Sequence, residues 1–235
     1  MNARQHEFAL TLELRQIPDA LVCIFHSLLL HRSVGKFTYK NSSNFSLGSI
    51  GVREEDCKHI DLTYIRVNCD ELDRCLWEDI RAFKDDVERE TLQRGKRSRK
   101  PNEPVTTTQI GMQFYHKKKK SFLSYLTSEE CVPWELWNVQ LNVCSLQTED
   151  LAGMRESTAE AVSDVILSLC SSLNRPQYVP KMPTAEQHSD IFDPRFQECE
   201  PFLFKIIRPH SSATGDGGRG VANTMRKLVK DTLYL

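Results

Sequence analysis

Four consecutive lysines, Lys117 to Lys120, stand directly before the apolar residues Phe122, Leu123, Tyr125 and Leu126. Strongly hydrated ammonium groups beside two aromatic rings suit a contact with another macromolecule, because the solvated run keeps the apolar residues from folding back into the core. Residue types that make and break bonds are arranged less well. Gly215-Asp216-Gly217-Gly218-Arg219-Gly220 matches the dinucleotide fingerprint letter by letter. Only fifteen residues follow it, too few for the crossover, second strand and ribose-binding carboxylate that the fingerprint needs. It reads as a glycine loop. Ser33 and Lys36 have the S-x-x-K spacing without its companion motifs. Cys131, beside Pro133 and Trp134, has no base that the sequence can name, so it reads as a structural thiol. None of the seven histidines forms ligand spacing with a cysteine pair, and no metal or other cofactor is expected. Asp85 and Asp86 lie in a charge-rich helical stretch and read as a solvated face. The chain is not expected to be an enzyme.

The elements around the lysines set their geometry. Ile110, Met112 and Phe114 alternate before them, and Trp137, Val139, Leu141 and Val143 alternate after them, with Asn138, Gln140 and Asn142 on the other face. Two such runs predict a hairpin with one buried side. The connector, residues 116–130, is longer than the usual hairpin loop of about 2–5 residues, so a protruding binding finger is expected. Elsewhere, Phe8, Leu10, Leu12 and Leu14 predict a strand, and Pro18 opens a helix through Leu21, Ile24, Phe25 and Leu28. Phe37, Tyr39, Phe45 and Leu47 suggest a small hairpin, and Ile60–Val67 a strand. Leu72, Leu76, Ile80, Phe83 and Val87 mark a long helix starting near Asp70; Val162, Val165, Ile166, Leu169 and Leu173 mark another. Residues 175–193 are expected to be irregular, 202–206 a short strand, and the tail from Val221 helical in spacing. The fold class is α+β: three substantial helices on a mainly antiparallel sheet, in one domain over 1–235 with flexible inserts at 94–104 and 209–220.

Composition narrows the function. Hydrophobic residues make up 40% and charged residues 27%, with a net charge of −1, so any contact with nucleic acid or an anionic surface must be local. The basic residues Arg94, Lys96, Arg97, Arg99 and Lys100 are such a local patch, although no aromatic interleaves them. No secretory leader and no run of about 18 apolar residues is present, which points to the cytosol or nucleus. The eight scattered cysteines read as reduced thiols.

Several longer stretches carry a resemblance: Leu28–Tyr39 (LLLHRSVGKFTY), Ile60–Val67 (IDLTYIRV), Glu71–Arg74 (ELDR), Phe114–Lys119 (FYHKKK), Glu130–Trp137 (ECVPWELW), Tyr178–Thr184 (YVPKMPT) and Thr224–Leu233 (TMRKLVKDTL). In order and spacing they resemble the autophagy-related protein 101 family. The resemblance implies a Mad2-like HORMA domain in the open state, acting as a non-catalytic adaptor of the autophagy-initiation kinase complex. It implies pairing with the HORMA domain of autophagy-related protein 13, an indirect link to the kinase and its scaffold, and location in the cytoplasm at the phagophore assembly site. It also implies an exposed finger, carrying a Trp and a Phe, that recruits downstream autophagy factors. Counting from the lysines puts Phe122 and Ser124 at those two positions, with Tyr125 next. His31, Arg32 and Ser33 match the family and, being polar, are expected to be exposed as part of the pairing surface. A nucleic-acid-associated or checkpoint-type HORMA adaptor using residues 94–100 is the alternative, and a hydrolase is a more distant one.

Overall fold

Alternation puts Phe8, Leu10 and Leu12 on one side of strand β1 (Arg4–Glu13), and Leu10 and Leu12 are fully buried there. The computed structural model to which these positions belong describes residues 3–94, 105–121, 127–144, 151–173 and 179–208. Of the expected insert at 94–104, Arg94 is helical; the rest of it, the insert at 209–220, the tail beyond, and the candidate anchors Phe122, Leu123, Tyr125 and Leu126 lie outside the described residues.

A four-stranded sheet in the order β1-β7-β6-β8 is the frame. Its central hairpin pairs β6 (Thr106–Ser121) with β7 (Thr127–Cys144), β8 (Phe204–Ile207) lies against β6, and β1 lies against β7. β6 runs antiparallel to both β7 and β8, and β1 runs parallel to β7, so the mainly antiparallel sheet carries one parallel edge. Period-two alternation is the same for both directions, which is why the parallel pair was invisible in the sequence. On the inner face Ile110, Met112, Phe114, Trp137, Val139, Leu141 and Val143 are buried. On the outer face Glu7, Ala9, Thr11, Thr107, Gln109 and Gln140 meet solvent. Asn138 departs from the outward-facing expectation for its side of β7. It is buried against Gly111, where an added Cβ would come within 2.5 Å of its Oδ1.

Helix α1 (Ile17–His31) begins with Pro18 in its first turn, where the missing N–H is harmless, and buries Leu21, Ile24, Phe25, Leu28 and Leu29. It lies between α2 (Asp70–Arg94), which packs on β6, and α3 (Leu151–Leu173), which packs on β1. The expected stripes hold: Leu72, Leu76, Ile80, Phe83 and Val87 on α2 are buried, as are Val162, Val165, Leu169 and Leu173 on α3. The acidic first turn of α2, with Asp70, Glu71 and Asp73, sits at the positive end of the helix dipole. A fourth helix, the single turn α4 (His188–Ile191), falls in the segment expected to be irregular. It is too short to carry a periodic stripe.

Two small antiparallel pairs complete the described fold. β2 (Phe37–Tyr39) pairs with β3 (Phe45–Leu47) as the expected hairpin. β4 (Val52–Asp56) pairs with β5 (Thr63–Val67). The sequence did not reveal β4, because Val-Arg-Glu-Glu-Asp has no apolar alternation. Its charges are used locally instead: Glu55 accepts from the Arg66 guanidinium across the pair.

Candidate interaction site

Strands β6 and β7 outrun their neighbours. β8 reaches only Phe114 on one side, and β1 only Glu135 on the other. Beyond those points Tyr115–Ser121 and Thr127–Pro133 pair with each other as a two-stranded ribbon. From His116 to Ser121 it extends roughly 20 Å at the usual rise of a strand. The connector expected over 116–130 is therefore mostly strand, and only residues 122–126 separate the two. Continuous lysines mask this in the sequence, since they show no alternation.

The lysines are less lone than they look. Lys118 lies opposite Glu130 across the ribbon. The Lys117 ammonium lies 3.5 Å from the Glu129 carboxylate. Opposite charges at cross-strand positions favour this register modestly and cancel part of the positive field. Lys118, Glu129, Glu130 and Cys131 are exposed. Cys131 lies opposite Lys117 with no base beside it among the described contacts.

A β-bulge between Phe114 and Tyr115 marks the base, leaving Trp134 without a partner in the register. Bulges bend and re-aim a strand. Here the extra residue puts the Trp134 ring against Phe114 at 5.6 Å, edge-on to Phe202 at 5.4 Å, with the Arg32 guanidinium 5.6 Å from its centre. Glu135, next along β7, has the inward parity of Trp137 and Val139 and is fully buried. Arg32 donates from Nε and Nη2 to its two oxygens at 2.8 and 2.9 Å. Such a fork satisfies a carboxylate that water cannot reach.

The expected exposure of Arg32 and Ser33 is corrected by this geometry, and only His31 of the three is exposed. Arg32 is 4% exposed and turned inward to Glu135. The Ser33 hydroxyl donates to the Leu29 carbonyl at 2.7 Å, and its backbone bridges to Pro201. Phe202 N–H donates to the Arg32 carbonyl, tying the end of α1 to the segment before β8. Ser33 is thus no nucleophile beside Lys36. Burial, and then the Arg32 charge, hold the His31 imidazole below its ordinary value. Sequence reasoning missed Glu135, although one acidic residue at an inward position of an apolar strand was the available signal.

Elsewhere the chemistry is that of a folded surface. Asp86 pairs with Arg89 one turn along α2. Among the described residues no group of three or more His, Cys, Asp or Glu side chains is gathered to hold a metal, and no helix is long and apolar enough to cross a membrane. The glycine loop and the basic insert beyond Arg94 lie outside the described residues.

Comparison with known proteins places this geometry. Residues 9–186 match the family model described as autophagy-related protein 101. The chain is 37% identical to autophagy-related protein 101 of Homo sapiens and 36% identical to that of Xenopus tropicalis, each over 236 aligned residues covering all of both chains. The Arabidopsis thaliana protein of the same name is 28% identical over 134 residues, 57% of this chain and 50% of its own. A match over most of the sequence, with end-to-end relatives above 30% identity, makes this chain a member of the autophagy-related protein 101 family, with a role in autophagy.

Proposed function

We propose that this protein is a non-catalytic scaffold subunit of the autophagy-initiation kinase complex, working by protein–protein contact. The single observation that carries this reading is the ribbon. Two strands leave the sheet together, with charged, exposed flanks, and lead to the apolar stretch 122–126. A rigid stalk lowers the ordering cost of presenting such a tip. Phe122 and Tyr125 would be the anchors, as aromatics dominate interface hot spots, with Leu123 and Leu126 filling around them. Lys117 to Lys120 would keep the base in water and favour an acidic partner, tempered by Glu129 and Glu130.

The family resemblance supports the finer parts of the reading. The domain is of the HORMA type, its three long helices lying over one face of the sheet. It pairs with the HORMA domain of autophagy-related protein 13 and stabilises it by mass action, since a partner that binds only the folded form protects it. His31 belongs to the pairing surface, which Arg32 and Ser33 support from within. The complex acts in the cytoplasm at the phagophore assembly site, where the tip recruits downstream factors. Replacing Phe122 and Tyr125 together by Ala tests the tip. Recruitment of downstream factors should fall while co-purification with autophagy-related protein 13 survives. Unchanged recruitment would remove the tip from the mechanism, and absent co-purification of the unaltered chain would remove the pairing.

A further inference from the structure

Cys23 and Cys57 are 34 residues apart, on different elements, yet their sulfurs lie 3.3 Å from each other. Cys23 sits in the middle of α1 and is fully buried. Cys57 is half-buried at the start of the turn joining β4 to β5. Only Cys57 of the two faces a cavity of about 150 Å³, whose wall also includes Asp19, Lys58, Tyr64, Arg66 and Trp77. One thiol is therefore open to a small polar molecule, and the other waits directly behind it.

We propose that Cys57 and Cys23 are a reversible peroxide-sensitive thiol pair, Cys57 being oxidised first and Cys23 resolving it into an intramolecular disulfide. In the first step the Cys57 thiolate attacks one oxygen of hydrogen peroxide. A sulfur–oxygen bond forms, the oxygen–oxygen bond breaks, and the leaving hydroxide takes up the proton Cys57 released, giving sulfenic acid and water. In the second step the Cys23 sulfur attacks the Cys57 sulfur. The sulfur–sulfur bond forms, the sulfur–oxygen bond breaks, and a second water departs with the Cys23 proton. Two thiols lose two electrons, and one peroxide becomes two waters.

The surroundings favour this order. The contact with Cys57, then burial, push the Cys23 thiol up, and the order follows from access, since Cys57 lines the cavity and Cys23 does not. The turn that carries Cys57 is already held to its neighbours. Cys57 N–H donates to the Leu62 carbonyl, His59 N–H to the Asp19 carboxylate, and Arg155 reaches the Lys58 carbonyl at 2.7 Å. Closing from 3.3 Å to the bond length of about 2.05 Å asks for a shift of roughly 1.2 Å by that turn. The bond would fasten the β4–β5 pair to α1.

The remaining cysteines provide controls within the same chain. Cys69 and Cys199 also lie side by side, but both are buried and neither lines that cavity. Cys131 is exposed on the ribbon.

Treating the full-length protein with hydrogen peroxide, then blocking free thiols with N-ethylmaleimide under denaturing conditions, tests the pair by peptide mass spectrometry. A cross-linked peptide joining Cys23 and Cys57 is expected, lost on treatment with dithiothreitol. Cys69 and Cys199 should remain alkylated. In Cys23→Ala, Cys57 should accumulate as a dimedone-reactive sulfenic acid. The oxidised protein should melt at a higher temperature than the reduced one, a shift missing in Cys57→Ser. The proposal is overturned if Cys57 is recovered alkylated, or carried to sulfinic acid while Cys23 is still free, or if the dominant cross-link involves other cysteines.

Discussion

Arg32, at the end of α1, holds Glu135 of β7 in a two-bond fork inside the protein, one residue from the bulge where the ribbon leaves the sheet. The pair joins the helical layer to the stalk of the candidate interaction site. Removing one member strands the other charge away from water. Arg32→Ala or Glu135→Ala should each cost about 3–5 kcal/mol in urea unfolding. Arg32→Lys should retain part of that, because a point charge cannot replace the planar fork. A loss under 1 kcal/mol for both Ala variants would mean that water reaches the site.

Gly111 opposes Asn138 where β6 and β7 cross the core. A Cβ there would meet Asn138 Oδ1 at 2.5 Å and the Trp137 carbonyl at 3.0 Å. Gly111→Ala should destabilise the protein by about 1–3 kcal/mol. Adding Asn138→Ala should recover part of it, measured as a double-mutant cycle.

Asp73 predicts an acid limb. Burial pushes its carboxyl up, but the hydrogen bond from His26 and the charges of His26, Arg66 and Arg53 pull it below its ordinary 3.8. A folded value below the unfolded one gives stability that is full above pH 3.8 and is lost as pH falls through the folded value. The stability gap between the wild type and Asp73→Asn should therefore narrow as pH falls below 3.8. Equilibrium unfolding at a series of pH values reads it directly.

Lys117 should contribute little to stability, since its contact with Glu129 is 3.5 Å long and solvated. Lys117→Ala should change unfolding by less than about 1 kcal/mol. Any loss of partner capture by that variant would then report the contact itself, as surface plasmon resonance against the captured partner would show.

Much of this architecture was legible because periodicity reports burial. The stripe of α2 from Leu72 to Val87 and the inward set Ile110, Met112, Phe114 and Trp137 are where the spacing put them. Elements built from charge were not legible. β4 is one valine followed by an arginine and three acids, and the ribbon strand through Lys117–Lys120 has no alternation to read. The polar end of α1 misled for a related reason: Arg32 is hydrophilic, yet a buried carboxylate 103 residues later draws it inward. Residue type cannot reveal a partner so distant in sequence. The parity of Glu135 in β7 could have.

The parallel match of β1 to β7, from Arg4 with Glu135 to Glu13 with Cys144, also sets a schedule for synthesis. β1 has no partner in the sheet until more than 120 further residues have been made. α1 can pack on β5 and α2 in that interval, but its side towards α3 stays uncovered until later still. Long-range pairing of this kind slows folding and leaves sticky intermediates. A nascent chain arrested before Cys144 should therefore be a chaperone client, and one released just beyond it should begin to resist proteases.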